Sequence, residues 1–379
     1  MQVPVRLLSA LRPSVAPALL VAIASSTVVF VSTPFLLAGV AEQRDVSIGT
    51  VGWISTTQLL GFVVASFLGG RYLTPIRAVF IGGALLGCVA NLLSAIAPTL
   101  LALSGARLLS GLSLGLAAWF GWQAAFGDAE KTGDVAVIGP LVGVITAPAV
   151  SALIQSIGID WLFVVLAAVT ATPLLFAHKV PRTVPRTERQ GRRDRHAPTR
   201  AARVILIALT FITLGGSSVF IFAAAIGTEL NGLDPFTVSI LFSCNSLVAI
   251  PAARWRGNRG PAGFWYFCTA LMAILLASVR NQWLFGFGLV AWGFVFFMAT
   301  PAVFGLLASR SAYPAERAGD AQAVMALGRV FGPLLGGALI SHGSSVALGF
   351  CAAGIMGTAS LALLYVDRRT LPVIGARLA

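Results

Sequence analysis

The sequence predicts an all-α membrane protein of twelve transmembrane helices arranged as two pseudo-symmetric six-helix bundles. Three observations predict it. Of the 379 residues, 57% are hydrophobic and only 10% are charged, and the mean hydropathy is +0.89. An ordinary soluble domain has roughly 25% charged residues, so this much apolar surface needs lipid as its solvent. The apolar residues fall in runs close to the roughly 20 residues a helix needs to cross a bilayer. The second half of the chain also repeats features of the first in order.

The first predicted span is Ser14–Val40, after a weakly basic tail from Met1 to Arg12. A signal peptide carries an apolar region of only about 7–15 residues, so this run reads as a retained helix. Spans 2 to 6 follow as Gly49–Gly70, Arg77–Ala97, Thr99–Phe126, Asp134–Gln155 and Trp161–His178. Spans 7 to 12 are Val204–Gly227, Pro235–Ala252, Gly263–Val279, Trp283–Ser309, Ala318–Ser341 and Val346–Val366. Spans 6, 8 and 9 are the shortest.

The formal charge of +13 sits in short loops. All but four of the 26 Lys and Arg residues lie in the two tails, the central segment and the loops joining spans 2–3, 4–5, 8–9 and 10–11. The exceptions are Arg44, Arg280, Arg107 and Arg329. Cytoplasmic loops of membrane proteins are enriched in Lys and Arg, which places both termini in the cytoplasm of a multi-pass protein of the cell (inner or plasma) membrane. The same bias accounts for the basicity without a nucleic-acid partner.

The chain therefore divides into an N-terminal half, residues 1–178, a basic cytoplasmic linker, 179–203, and a C-terminal half, 204–379. The linker is rich in Arg and Pro; it either contacts anionic headgroups or only connects the halves and fixes topology. Trp53, Trp161 and Trp283 fall near one set of span ends, and Tyr72, Trp255, Tyr313 and Tyr365 near the other, as in an interfacial aromatic belt. Cys88, Cys244, Cys268 and Cys351 lie in apolar runs without metal-ligand or redox spacing, and read as small packing residues.

The internal repeat is carried by four correspondences. Lys131-Thr-Gly-Asp134 opens span 5 as Arg317-Ala-Gly-Asp320 opens span 11. Ala147-Pro148-Ala-Val-Ser151-Ala152 matches Gly332-Pro333-Leu-Leu-Gly336-Gly337 with a slip of one residue. Ser25-Ser26 lies midway through span 1 as Ser217-Ser218 does through span 7, and Asp45 and Asp234 precede spans 2 and 8. An Asp at that point can cap exposed backbone N–H groups.

These residues resemble the major facilitator superfamily, whose two halves are related by an axis along the membrane normal, with the site near the midplane. The resemblance covers nearly the whole chain. Gly332-Pro333-Leu-Leu-Gly336-Gly337 looks like the family's Gly-Pro-x-x-Gly-Gly element, and Arg107-Leu-Leu-Ser110-Gly111 like its helix 4 Arg-x-x-Gln/Ser-Gly element. Gly69-Gly70-Arg71 to Arg77 occupies the position of the loop 2–3 motif, but without that motif's Asp. The resemblance implies a secondary transporter working by alternating access. The copy around Pro148 in span 5, where the family associates the element with antiporters and exporters, implies export; Ala147, Ser151 and Ala152 replace its glycines.

An ionisable residue inside a span is a functional candidate by default. Only Arg107 and Arg329 lie deep, roughly 12 Å and roughly 17 Å from the nearer span ends at 1.5 Å per residue. All 13 Asp and Glu residues fall in loops or near span ends, which argues against simple carboxylate-based coupling to a proton or other ion. Two cations without acids favour an anionic substrate group, because guanidinium offers a planar fork of donors. Alternatively, each arginine hydrogen-bonds neighbouring helices and holds them together, and Arg107 could snorkel outward.

Gln58, Asn245, Gln322, Trp292, Ser25, Ser26, Ser217 and Ser218 complete the candidate pathway. Interhelical hydrogen bonding is the alternative role for the serines. Gly328, Gly332 and Gly336 recur on one face of span 11, and Gly111 with Gly115 on span 4, allowing close and sliding helix contacts. Pro34, Pro148, Pro301 and Pro333 interrupt hydrogen-bond ladders, so Ser110, Gly111, Pro148, Gly328, Gly332, Pro333, Gly336 and Gly337 are expected to serve gating or packing.

No cofactor and no enzyme chemistry is expected, since His178, His196 and His342 form no nucleophile–base or metal spacing. The expected partners are the bilayer, a small organic substrate bearing an anionic group, and a coupling ion such as the proton, with the chain working as a monomer. Uptake of an organic anion, and a transporter-like fold kept as an interaction or sensor module, are the alternatives.

Overall fold

Proline at the start of a helix costs nothing, because the N–H it lacks would have no intrahelical partner there. Pro17, Pro235 and Pro314 open three of the twelve helices on that basis. The computed structural model describes residues 16–125, 129–180, 182, 196–255, 257–342 and 344–372. The N-terminal tail and most of the predicted linker lie outside the described residues, as do the side chains of Lys131 to Asp134.

The first bundle comprises α1 (Pro17–Gln43), α2 (Ile48–Tyr72), α3 (Arg77–Ala95), α4 (Leu100–Ala125), α5 (Ala129–Ile157) and α6 (Ile159–Ala171). The second comprises α7 (Arg200–Phe220), α8 (Pro235–Ala253), α9 (Ala262–Ala277), α10 (Gln282–Ser309), α11 (Pro314–Ser341) and α12 (Ser345–Arg369). Eleven are long and apolar enough to cross a membrane, and α9 is the shorter twelfth.

Two helices change character where their sequence dictates. Pro173 cannot donate to the α6 ladder, and the chain continues as a tighter 3-10 helix over Thr172–Lys179. The α7 ladder breaks at Phe220 after Gly215-Gly216-Ser217-Ser218; the helix resumes as Ala223–Ala225 and ends in a π turn, Ile226–Leu230. Gly/Ser pairs are a recurrent cause of such breaks. Ser217 and Ser218 donate back to the Thr213 and Gly215 carbonyls at 2.7 and 2.8 Å, a pattern that bends helices.

Asp234 caps α8 as its position suggests. Its carboxylate accepts from the Thr237 backbone N–H at 2.9 Å and from the Thr237 hydroxyl. These bonds hold the exposed Asp234 carboxyl below the usual carboxylate range. Asp45 does not cap α2. It sits at φ 50° in the turn before that helix, and Ser47, one residue from the helix, accepts from the Thr50 N–H at 3.2 Å instead.

Gly158 alone joins α5 to α6, at φ 81°, and a Cβ there would meet no neighbour. The Gly158 ψ of 174° places it in an extended positive-φ region that only glycine adopts readily, so Gly158→Ala isolates that backbone cost, about 1–3 kcal/mol. The expected result is a lower unfolding midpoint in detergent with ligand binding unchanged.

Packing repeats between the bundles. In the first, α2 lies on α4, α1 on α5, and α3 on α4 and α6; in the second, α8 lies on α10, α7 on α11, and α9 on α10 and α12. The halves meet along two seams, α2 with α11 and α5 with α8, which exchange under the same pseudo-twofold. Both described chain ends lie on one side of the bundle, the terminal side, together with the end of the linker. There Arg317 donates to the His196 carbonyl at 2.6 Å, the His196 and Tyr313 rings stack at 3.7 Å, and Thr199 donates to the Arg310 carbonyl at 2.6 Å. Arg77 likewise caps the end of α6, donating to the His178 and Val180 carbonyls at 2.6 and 2.9 Å.

Candidate functional site

Between the bundles lies a cavity of about 420 Å³, walled by α1, α2 and α5 of the first half and by α7, α8, α10 and α11 of the second. Among the described residues, Arg329 on α11 is its single ionisable lining residue, and it makes no hydrogen bond or ion pair with any of them. Aromatic rings dominate the remaining wall. On the first half Phe30 and Phe62 meet edge to face at 5.3 Å; on the second Phe220 lies 5.6 Å from Trp292 and 5.4 Å from Phe242. Asn245 donates across to the Leu289 carbonyl at 2.6 Å, which fixes α8 on α10 behind the wall.

Of the sequence-predicted candidates, the structure brings Arg329, Asn245, Trp292 and Ser217 together on this cavity. Ser218 is fully buried behind it. Ser25 and Ser26 donate to the Ala22 carbonyl and border a separate pocket of about 20 Å³ inside the first bundle. Gln322 is exposed, two turns from Arg329 toward the terminal side, and is not part of the cavity wall. The rings of Phe30, Phe62, Phe220 and Phe242 carried no polar signal and were missed. Extending the helical face of Asn245 by i−3, or that of Ser217 by i+3, reaches Phe242 and Phe220.

Arg107 lies elsewhere. It is fully buried within the first bundle, its Nη1 donating to Asn91 Oδ1 at 2.7 Å and its Nη2 and Nε to Gln58 Oε1 at 3.1 and 3.3 Å. Phe163 places its ring centroid 5.5 Å from the guanidinium carbon. Asn91 in turn donates to the Gly87 carbonyl at 2.8 Å and to Thr170 at 3.4 Å. One cation thus ties α2, α3, α4 and α6 together. Ser110 is buried beside it on α4, one turn further on, without a hydrogen-bond partner for its hydroxyl among the described residues.

The seams are closest on the side away from the termini. A Cβ on Gly49 would overlap Ser341 Oγ and the Gly337 carbonyl oxygen, and one on Gly52 would stand 3.1 Å from the Pro333 carbonyl oxygen. Along the other seam, Ser151 donates to the Pro235 carbonyl at 3.1 Å and Ser243 to the Val144 carbonyl at 2.6 Å. Pro148 has no N–H to offer Val144 four residues earlier, so the acceptor that Ser243 uses is one that α5 leaves free. Arg259 exploits the same device below Pro301, donating to the Phe297 carbonyl at 3.1 Å.

The Gly-Pro-x-x-Gly-Gly element divides its labour. Gly328, Gly332 and Gly336 press on α7 within the second half, at Thr210, Leu214 and Ser218; Gly337 faces α2 of the first, 2.6 Å from the Gly49 carbonyl oxygen to its Cβ position. Gly111 presses on the Gln58 carbonyl within the first half.

Two six-helix bundles about a central cavity, with seams that exchange under a pseudo-twofold, define a membrane transporter fold. Residues 18–329 match the sequence profile of the Major Facilitator Superfamily, and the chain belongs to that family. Solved structures agree at low identity. A bacterial homologue of the human lysosomal transporter Spinster, inward-facing and occupied, superposes with a TM-score of 0.69 at 12% identity, covering 96% of this chain and 97% of that one. The human organic anion transporter MFSD10 gives 0.67 at 16%, covering 91% and 97%. The nucleoside transporter NupG gives 0.68 at 14%, covering 93% and 99%. At such identities the likeness establishes the shared fold. No curated protein matches the chain by sequence.

Proposed function

We propose that this chain is a secondary active transporter that moves a small organic molecule with an anionic group across the cell membrane by rocking α1–α6 against α7–α12. The observation that carries the reading is the cavity itself. Both halves wall it, its single charge among the described residues is a guanidinium that none of them pairs, and the seams are closed on the side away from the termini. The crowding of Lys and Arg on the terminal side supports a cytoplasmic location for both termini. Export is the direction favoured by the resemblance of the segment around Pro148 to the family's helix 5 element. In this reading Arg329, Asn245, Trp292 and Ser217 contact the substrate, whereas Arg107 and Gln58 brace the first bundle.

Hydrogen bonds to a charged group contribute roughly 1.5–3 kcal/mol. Arg329→Gln should therefore cut transport of an anionic substrate by about tenfold or more at sub-saturating concentration, with insertion and folding intact. The test is movement of a panel of radiolabelled organic acids in proteoliposomes of both orientations under an imposed proton gradient. Equal transport by the variant would remove Arg329 from the site. Absence of transport in either direction, with the halves still rocking, would favour the sensor reading.

A further inference from the structure

Resting on the transport reading above, the wall chemistry narrows the substrate. We propose that the cavity takes a monoanion built on an aromatic ring, with its carboxylate on Arg329 and its ring engaged by the Phe220–Trp292 wall of one half and the Phe30–Phe62 pair of the other. The count of charges sets the valence. Among the described residues one guanidinium lines the cavity and no acid does, so a dianion enters with half its charge unneutralised, and a cation meets only repulsion. Burying an unpaired charge is costly.

The polar lining, Thr27, Thr213, Ser217, Asn245 and Ser246 beside Arg329, matches sugars and nucleosides poorly. Ser217 already spends its hydroxyl proton on the Thr213 carbonyl, and Asn245 one amide hydrogen on Leu289. A polyhydroxylated ligand would leave many of its own donors and acceptors unmatched, and each buried orphan is penalised. A flat ring meets the opposite situation. Aromatic pairs favour edge-to-face and offset geometries with centroids about 4.5–7 Å apart, and both walls already hold rings in such pairs. A volume of about 420 Å³ suits a ligand of one or two fused rings, within the roughly 300–1,000 Å³ of small-molecule sites. Gly216 lies directly against this wall, where a Cβ would stand in ordinary contact with Trp292 Cζ2 at 3.5 Å.

The arrangement also gives the ring a task in transport. Its two aromatic walls belong to different halves, so a ligand spanning them favours the state in which they approach, whereas an ion held by Arg329 alone touches only the second half.

The test is equilibrium binding to the purified full chain with five probes: 2-naphthoate, its neutral amide, naphthalene-2,6-dicarboxylate, octanoate and 2-naphthylmethylammonium. Naphthoate should bind at least tenfold more tightly than each of the others. Arg329→Gln should bring naphthoate down to the level of the amide, with Arg329→Lys restoring part of the difference. Trp292→Leu should weaken naphthoate at least fivefold while leaving octanoate within twofold. Binding of the amide, dianion or ammonium as tight as naphthoate overturns the anion assignment; octanoate as tight as naphthoate overturns the aromatic one. Failure of every probe to bind overturns the proposal as a whole. The transport reading is judged separately, by whether paired spin labels at the exposed positions 50 and 342, at the ends of α2 and α11, populate two distances.

Discussion

Gly49→Leu is expected to hold the halves apart on the side away from the termini and to stop turnover while leaving each bundle folded. The overlap it creates, with the Gly337 carbonyl and Ser341 Oγ, lies entirely between the halves and vanishes when the α2–α11 seam opens. Backbone cannot step aside as a flexible side chain can, and overpacking of this kind costs about 1–3 kcal/mol. A penalty on one of two states is a shift between them, here roughly 5- to 150-fold in their ratio. Paired spin labels on the ends of α2 and α11 should report a longer distance, and labelled-substrate exchange should fall accordingly. Gly111→Leu is the contrasting control. Its overlap with the Gln58 carbonyl is inside the first bundle in every state, so it should lower yield and melting temperature without selecting a conformation. Equal distance distributions for Gly49→Leu and the parent chain would remove the seam from the gating cycle.

Arg107→Ala is expected to unfold the first bundle more readily and to leave binding per folded molecule unchanged. The substitution strands Gln58 Oε1 and Asn91 Oδ1, two buried acceptors, at about 1–3 kcal/mol each. It also empties a space that Phe163 partly covers. Arg107→Lys keeps the charge but has no planar fork to span both amides, so it should recover only part of the loss. Thermal unfolding in detergent reads the first effect, and naphthoate titration corrected for folded fraction reads the second. A variant that melts normally but fails to transport would move Arg107 from brace to pathway.

Sequence alone carried the architecture far because its two signals, hydropathy and the internal repeat, are both one-dimensional. It placed two arginines at similar depth and had no means to say which one faces the cavity, since azimuth depends on neighbours. The information was partly there. Gly111 follows Arg107 by one turn, so whatever helix approaches that glycine also covers the arginine, and α2 does. Gly328 directly precedes Arg329; if the glycine stripe faces α7, the next residue turns about 100° away from that contact, here into the cavity. The Asp45 cap failed for a different reason: a serine nearer the helix does the same job, and only the backbone turn reveals it. The aromatic walls stayed hidden because a phenylalanine facing lipid and one facing a cavity are spelled alike.

The bond from Ser243 to the carbonyl that Pro148 leaves free has a consequence for how this protein tolerates change. The acceptor belongs to the main chain at position 144, so any side chain can stand there without weakening the contact. A survey of residue identities at that position would find no trace of it. The dependence falls instead on positions 148 and 243, which never touch in sequence and should drift or persist as a pair. Losing the proline lets α5 reclaim its own carbonyl, and the serine then shares that acceptor or turns back to the Ser239 carbonyl of its own helix, as Ser217 does to Thr213, at the expense of the bond across the seam.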